Sequence, residues 1–127
     1  MKFYEYGKEN DAVILLLPGT CCHWKLNFEE VIPLLALDFH VVCVSYDGFD
    51  ETQDSVFDDM ISQTEKIERY ILENYDGKIK AAYGCSLGGS FVGLLVQRKI
   101  INIEQVILGS SDLDQDEVWK AKLKCKL

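Results

Sequence analysis

The sequence has no long apolar run, little proline or histidine and no basic cluster, and each shortage removes a class of protein. Its longest apolar stretch, Ala12–Leu17, stops at Pro18, far short of the roughly 20 residues that cross a bilayer. The opening Met1-Lys2-Phe3-Tyr4-Glu5-Tyr6 lacks the apolar region of a signal peptide. Lys and Arg number 13 against 21 Asp and Glu, a net charge of −8. That balance argues against nucleic acid or an anionic membrane surface as partner, since both select clustered basic residues. With two prolines, no repeat and no Gly/Ser/Pro-rich linker, the 127 residues read as one modest domain with a real core. Five cysteines are an odd number without framework spacing, which predicts free thiols in a reducing cytoplasm. Cys21, Cys22 and His23, with Cys85 joining after folding, lack the repeated ligand pairs of a zinc site. They read as packing residues, and neither a metal nor a cofactor is expected.

What is present is a set of short apolar runs. Ala12–Leu17 is continuous, as a strand covered on both faces should be. Val41–Tyr46 is β-branched, Ile79–Tyr83 and Gln105–Gly109 follow, and Phe3–Tyr6 is a weaker candidate. Between them lie helical patterns. Asn27 and Glu30 have capping-box spacing ahead of Val31, Ile32, Leu34 and Leu35, with Pro33 allowing a kink or a later start. Ser55–Tyr75 carries apolar residues at mostly three- and four-residue spacing, with Gly77 to close the helix. Leu87–Val96 is small and apolar, with Gln97, Arg98 and Lys99 at its polar end. Strands alternating with helices predict an α/β fold with a mostly parallel sheet and right-handed crossovers. Chemistry in such sheets collects at the carboxyl ends of strands, here Pro18–His23, Asp47–Asp50, Gly84–Gly88 and Ser110–Asp114.

Gly84-Cys85-Ser86-Leu87-Gly88-Gly89 lies directly after a predicted strand and before a predicted helix. Such a turn holds its serine at an unfavourable backbone angle and projects the hydroxyl clear of the sheet. The helix behind offers free N–H groups and partial positive charge. The plainer alternative is a Gly-rich turn that packs a helix on a strand. A dinucleotide fingerprint fits less well, because Ser86 stands where the central glycine is needed.

With the strand and loop Leu15-Leu16-Leu17-Pro18-Gly19-Thr20, this motif resembles the α/β-hydrolase family of esterases and lipases. The likeness runs from about Ala12 to Ser111, including Trp24–Leu37 and Tyr46-Asp47-Gly48-Phe49-Asp50. It implies that Ser86 is the nucleophile of a carboxylic-ester hydrolase. The backbone N–H groups of Thr20 and Leu87 would then form an oxyanion hole. Pro18 stands where the family commonly has histidine, which removes a polar support. The family's triad runs Ser, then acid, then His, yet the only histidines, His23 and His40, precede Ser86. His23 is on the correct edge to act as a base but violates that order. His40 is expected at the opposite edge, as a surface or capping residue. Asp112 is either the acid or a helix cap, since Asp112, Asp114, Asp116 and Glu117 precede a Lys-rich end. Asp47 reads as a loop residue. The resemblance implies that residues 1–127 are a partial domain ending where a lid insertion would begin, with low or no turnover. The rival reading is a non-catalytic folded module that oligomerises or binds. Val118, Trp119 and Leu123 share one helical face, and a homodimer with 113–127 in its interface is expected.

Overall fold

The computed structural model describes residues 1–19 and 24–109. The expectations placed on Thr20, Cys21, Cys22, His23, Asp112 and 113–127 therefore lie outside the described residues. In chain order the elements are β1 (Lys2–Tyr6), β2 (Val13–Leu17), α1 (Trp24–Phe28), α2 (Ile32–Leu35), β3 (His40–Ser45), α3 (Met60–Tyr75), β4 (Lys78–Cys85), α4 (Leu87–Arg98) and β5 (Asn102–Gly109). They form a five-stranded sheet in the order β1-β3-β2-β4-β5. β2 pairs in parallel with β3 and β4, and β4 with β5, while β1 runs antiparallel along β3. The first core strand thus lies between the second and third.

Every residue of β2 is buried, because alternate side chains enter two cores. Val13, Leu15 and Leu17 pack with Val42, Val44, Ile67, Ile71, Phe91, Val92 and Leu95 beneath α3 and α4. Ile14 and Leu16 join Trp24, Phe28, Ile32, Val41 and Cys43 beneath α1 and α2. A strand covered on both faces needs a continuous apolar run rather than alternation. β5 differs: Val106, Ile107 and Leu108 are 42%, 49% and 38% exposed.

Two local expectations need correction. The Asn27–Glu30 capping box does not form. The segment makes two short helices, and Pro33 sits in the first turn of the second. Asn27 instead uses its side-chain oxygen on Gly19 (2.9 Å). The helix expected from Ser55 begins at Met60, because Asp59 adopts an extended conformation and accepts the Ser62 N–H at 2.8 Å. Val56, counted with its apolar face, is 81% exposed. A good N-cap outweighed an apolar periodicity that continued by chance. Asp47 lies in the turn after β3, as expected of a loop residue, and its carboxylate is buried in an ion-pair cluster. At the other end of α3, Asp76 and Gly77 turn left-handed and the Gly77 N–H reaches the Ile71 carbonyl at 3.1 Å, the expected closure.

Candidate active site

β4 delivers its last residues, Gly84 and Cys85, into a turn with no intervening loop, and α4 begins at Leu87. Ser86 between them has φ 54° and ψ −113°, the positive φ the motif predicted. A non-glycine residue there costs about 1–3 kcal/mol, supplied by the packing around it. Two glycines make the turn sterically feasible. A Cβ on Gly84 would collide with the Gly88 carbonyl, and one on Gly88 with the Leu17 carbonyl. The start of α4 therefore passes against both β4 and β2 at backbone distance. The Gly89 N–H bonds back to the Ser86 carbonyl at 2.9 Å, closing the first turn of the helix.

The end of β2 reaches the same place. A methyl built on Gly19 would lie 3.5 Å from Ser86 Cβ and 3.5 Å from the Cys85 carbonyl oxygen. So Gly19, two residues after β2, lies beside the serine turn. Thr20 itself, like His23 and Asp112, lies outside the described residues. Two side chains that the sequence did not mark for this role hold Pro18 and Gly19. Tyr46, fully buried at the end of β3, donates its hydroxyl to the Pro18 carbonyl at 2.9 Å. Asn27 Oδ1 accepts the next amide, Gly19 N–H, at 2.9 Å. No pattern signal marks either one, since both contacts are non-local and directed at backbone. Burial, with the Cys85 charge adding to it, pushes the Tyr46 phenol well above its usual range, so it is a neutral donor.

Among the described residues on this edge, the carboxylates of Asp47 and Asp50 are committed elsewhere. Asp47 bonds the Met1 amine, Gln63 Nε2 at 2.8 Å and Lys66 Nζ. Burial alone would raise its carboxyl, but these three partners outweigh that and hold it well below the usual carboxylate range. Asp50 accepts from Tyr4 at 2.6 Å and from the Thr52 amide at 2.9 Å. It is likewise lowered by these bonds against a burial effect of opposite sign. His40 stands at the opposite end of the sheet, in register with Val13 at the start of β2. It was expected at the surface or in a cap. Instead its side chain is 12% exposed, with Nε2 2.8 Å from Glu5 Oε1 and the ring edge-on to Tyr75. It is therefore remote from Ser86, which follows the carboxyl end of β4. Cys43 is buried in the sheet and its thiol is pushed up to about 12 by desolvation, so it is chemically inert.

No family model matches the sequence. One curated relative is 40% identical over 53 residues, 42% of this chain and 20% of its own length: a 1H-3-hydroxy-4-oxoquinoline 2,4-dioxygenase from Pseudomonas putida. Among solved structures, a protein assigned to the α/β-hydrolase family from Desulfitobacterium hafniense superposes with a TM-score of 0.80 at 21% identity, covering 87% of this chain and 44% of its own. A lipase-esterase related protein from Clostridium acetobutylicum gives 0.73 at 20% identity, with 87% and 46% covered. The chain thus has the α/β-hydrolase fold, over less than half the length of these structural neighbours.

Proposed function

We propose that this chain carries the nucleophile and oxyanion-binding part of a serine hydrolase acting on a carboxylic ester. The observation that carries the reading is the Ser86 turn, at φ 54° between β4 and α4, with Gly19 beside it. In the proposed chemistry the Ser86 hydroxyl adds to an ester carbonyl. The developing oxyanion takes hydrogen bonds from the backbone N–H groups of Leu87 and Thr20, each worth on the order of 3 kcal/mol in the transition state. The dipole of α4 adds to the same field. A general base must take the serine proton, because the hydroxyl alone is a weak nucleophile. The histidine that follows the acid in such triads has no counterpart after Ser86 in this sequence, and His40 is engaged at the far edge. Turnover by these 127 residues is therefore expected to be low, the residual rate coming from the oxyanion site. Asp112 as acid and His23 as base remain part of this proposal.

The second reading, a non-catalytic module that binds or oligomerises, is favoured by one feature: the exposed apolar strand β5, which suits a homodimer. An acidic protein of a reducing compartment fits both readings. A fluorophosphonate probe separates them. Attack by Ser86 Oγ forms an O–P bond, expels fluoride and releases the hydroxyl proton to solvent. Slow labelling that disappears in Ser86→Ala, with p-nitrophenyl acetate hydrolysis near background, is the expected result. Labelling no faster than that of Ser86→Ala would leave only the non-catalytic reading. Fast turnover abolished by Ser86→Ala would mean that a base is present, and His23→Ala would then identify it.

A further inference from the structure

We infer that Tyr46 and Asn27 are positioning residues, a two-sided clamp that fixes the Pro18–Gly19 peptide against the Ser86 turn. The inference rests on the reading of Ser86 as nucleophile and adds to it the means by which the loop is held. Three observations converge on one peptide group and its neighbour. The Tyr46 hydroxyl donates to the Pro18 carbonyl oxygen at 2.9 Å. Asn27 Oδ1 accepts the Gly19 N–H at 2.9 Å. Gly19 in turn lies beside the serine turn, where a Cβ added to it would be in van der Waals contact with Ser86 Cβ and the Cys85 carbonyl. The C=O and N–H of a single peptide bond are thus each tied to a side chain from a different element. That removes rotation of the peptide plane as well as translation of the loop.

Each anchor is itself rigid. The Tyr46 side chain is fully buried, and its ring stacks on Phe91 of α4 with centroids 4.7 Å apart. The residue that grips the loop is therefore packed on the helix whose N-terminus carries Ser86, so loop and serine share one reference frame. Asn27 belongs to α1, which is seated by the buried neighbours Trp24 and Phe28. An oxyanion donor must lie within a few tenths of an ångström of its target to be effective. A loop beginning Pro-Gly, without the family's usual histidine, needs an external support of this kind. The hydroxyl and the carboxamide supply it. Neither residue needs to touch substrate, and the clamp would act on whatever acyl group is bound.

The test uses the full chain, with Tyr46→Phe, Asn27→Ala and Asn27→Asp. Tyr46→Phe keeps the ring on Phe91 and deletes only the donor. Asn27→Asp keeps an acceptor at the same reach. Backbone amide exchange followed by NMR reads the clamp without any need for catalysis. Gly19 should exchange about fivefold faster or more in Asn27→Ala, and near the parent rate in Asn27→Asp. The Leu15 and Leu16 amides of β2 should be unchanged in all three. Fluorophosphonate labelling of Ser86 should slow by about tenfold in Tyr46→Phe and in Asn27→Ala, with melting temperatures close to the parent value. Unchanged Gly19 exchange in Asn27→Ala would overturn the clamp. Faster exchange with labelling as quick as the parent's would overturn its role toward Ser86. If the parent labels no faster than Ser86→Ala, the nucleophile reading fails by itself, and Gly19 exchange still decides whether the clamp exists.

Discussion

Ser86 and Glu5 mark opposite ends of the sheet, and they differ in how far their surroundings were readable. The serine's setting was legible because a strained turn needs particular residues at particular offsets. Gly84 and Gly88 are where a Cβ would strike backbone, and that requirement is written in the sequence. Glu5 of β1, His40 of β3 and Tyr70 and Tyr75 of α3 come from three separate parts of the chain, and nothing local announces their meeting. Burial raises the Glu5 carboxyl, but hydrogen bonds from Tyr75, Tyr70 and His40 together lower it below its ordinary value. Asp47 and Asp50 are lowered by their own partners. The sign follows from linkage: a carboxyl depressed in the folded state adds stability that is complete above its unfolded value and is lost as pH falls through the folded one. Urea-unfolding stability should therefore be nearly level from about pH 5 to 7 and decline below about pH 4.5, where unfolded Asp and Glu titrate. Glu5→Gln, Asp47→Asn and Asp50→Asn should each flatten part of that decline, at some cost in stability near neutrality. An acid limb of equal slope in the parent and all three variants would assign the loss to other groups.

At the scale of elements, strands were easier to read than helix limits. A strand covered on both faces can be nothing but apolar, so β2 and β3 declared themselves. Helix starts depend on one cap residue, and the apolar pattern before Asp59 gave a false extension. The pair Trp24–Phe28 and Ile32–Leu35 is too short for periodicity to show. α4 illustrates the close approach most sharply, and its glycines should respond to the same substitution with opposite sign. Gly88→Ala would drive a methyl into the Leu17 carbonyl, where strand and helix backbones cannot separate cheaply. It should lose about 2–3 kcal/mol of stability. Gly93→Ala meets nothing within 4 Å, so the helix gains propensity at no steric cost. It should gain about 0.5–1 kcal/mol. Urea midpoints with a shared m-value would measure both. Equal effects at the two positions would mean that α4 does not approach β2 as described.

For the whole molecule, the parallel core followed from the alternation of strands and helices, whereas assembly is a matter of what covers the last strand. β5 pairs with β4 on one side only, and its outer edge carries backbone donors and acceptors with no strand beyond them among the described residues. Val106, Ile107 and Leu108 are each more than a third exposed. On the α1 side, Ile107 borders an apolar groove of about 340 Å³ shared with Ile14, Leu16, Phe28, Ala81 and Tyr83. Edges of this kind invite pairing unless charge, proline or a covering element blunts them. In the run Val106-Ile107-Leu108 there is no charge and no proline. A second copy is the occupant that the chain can supply for itself, by strand pairing or by apolar contact across a twofold axis. Light scattering should therefore give twice the chain mass at tens of micromolar. Ile107→Lys, which sets a charge on the groove side of the edge, should shift the chain toward monomer and weaken association by about tenfold or more. The chain's net charge of −8 opposes association of two copies, so added salt should strengthen the dimer if apolar contact drives it. A monodisperse monomer at high concentration would defeat the assembly, as would a dimer that ignores Ile107→Lys.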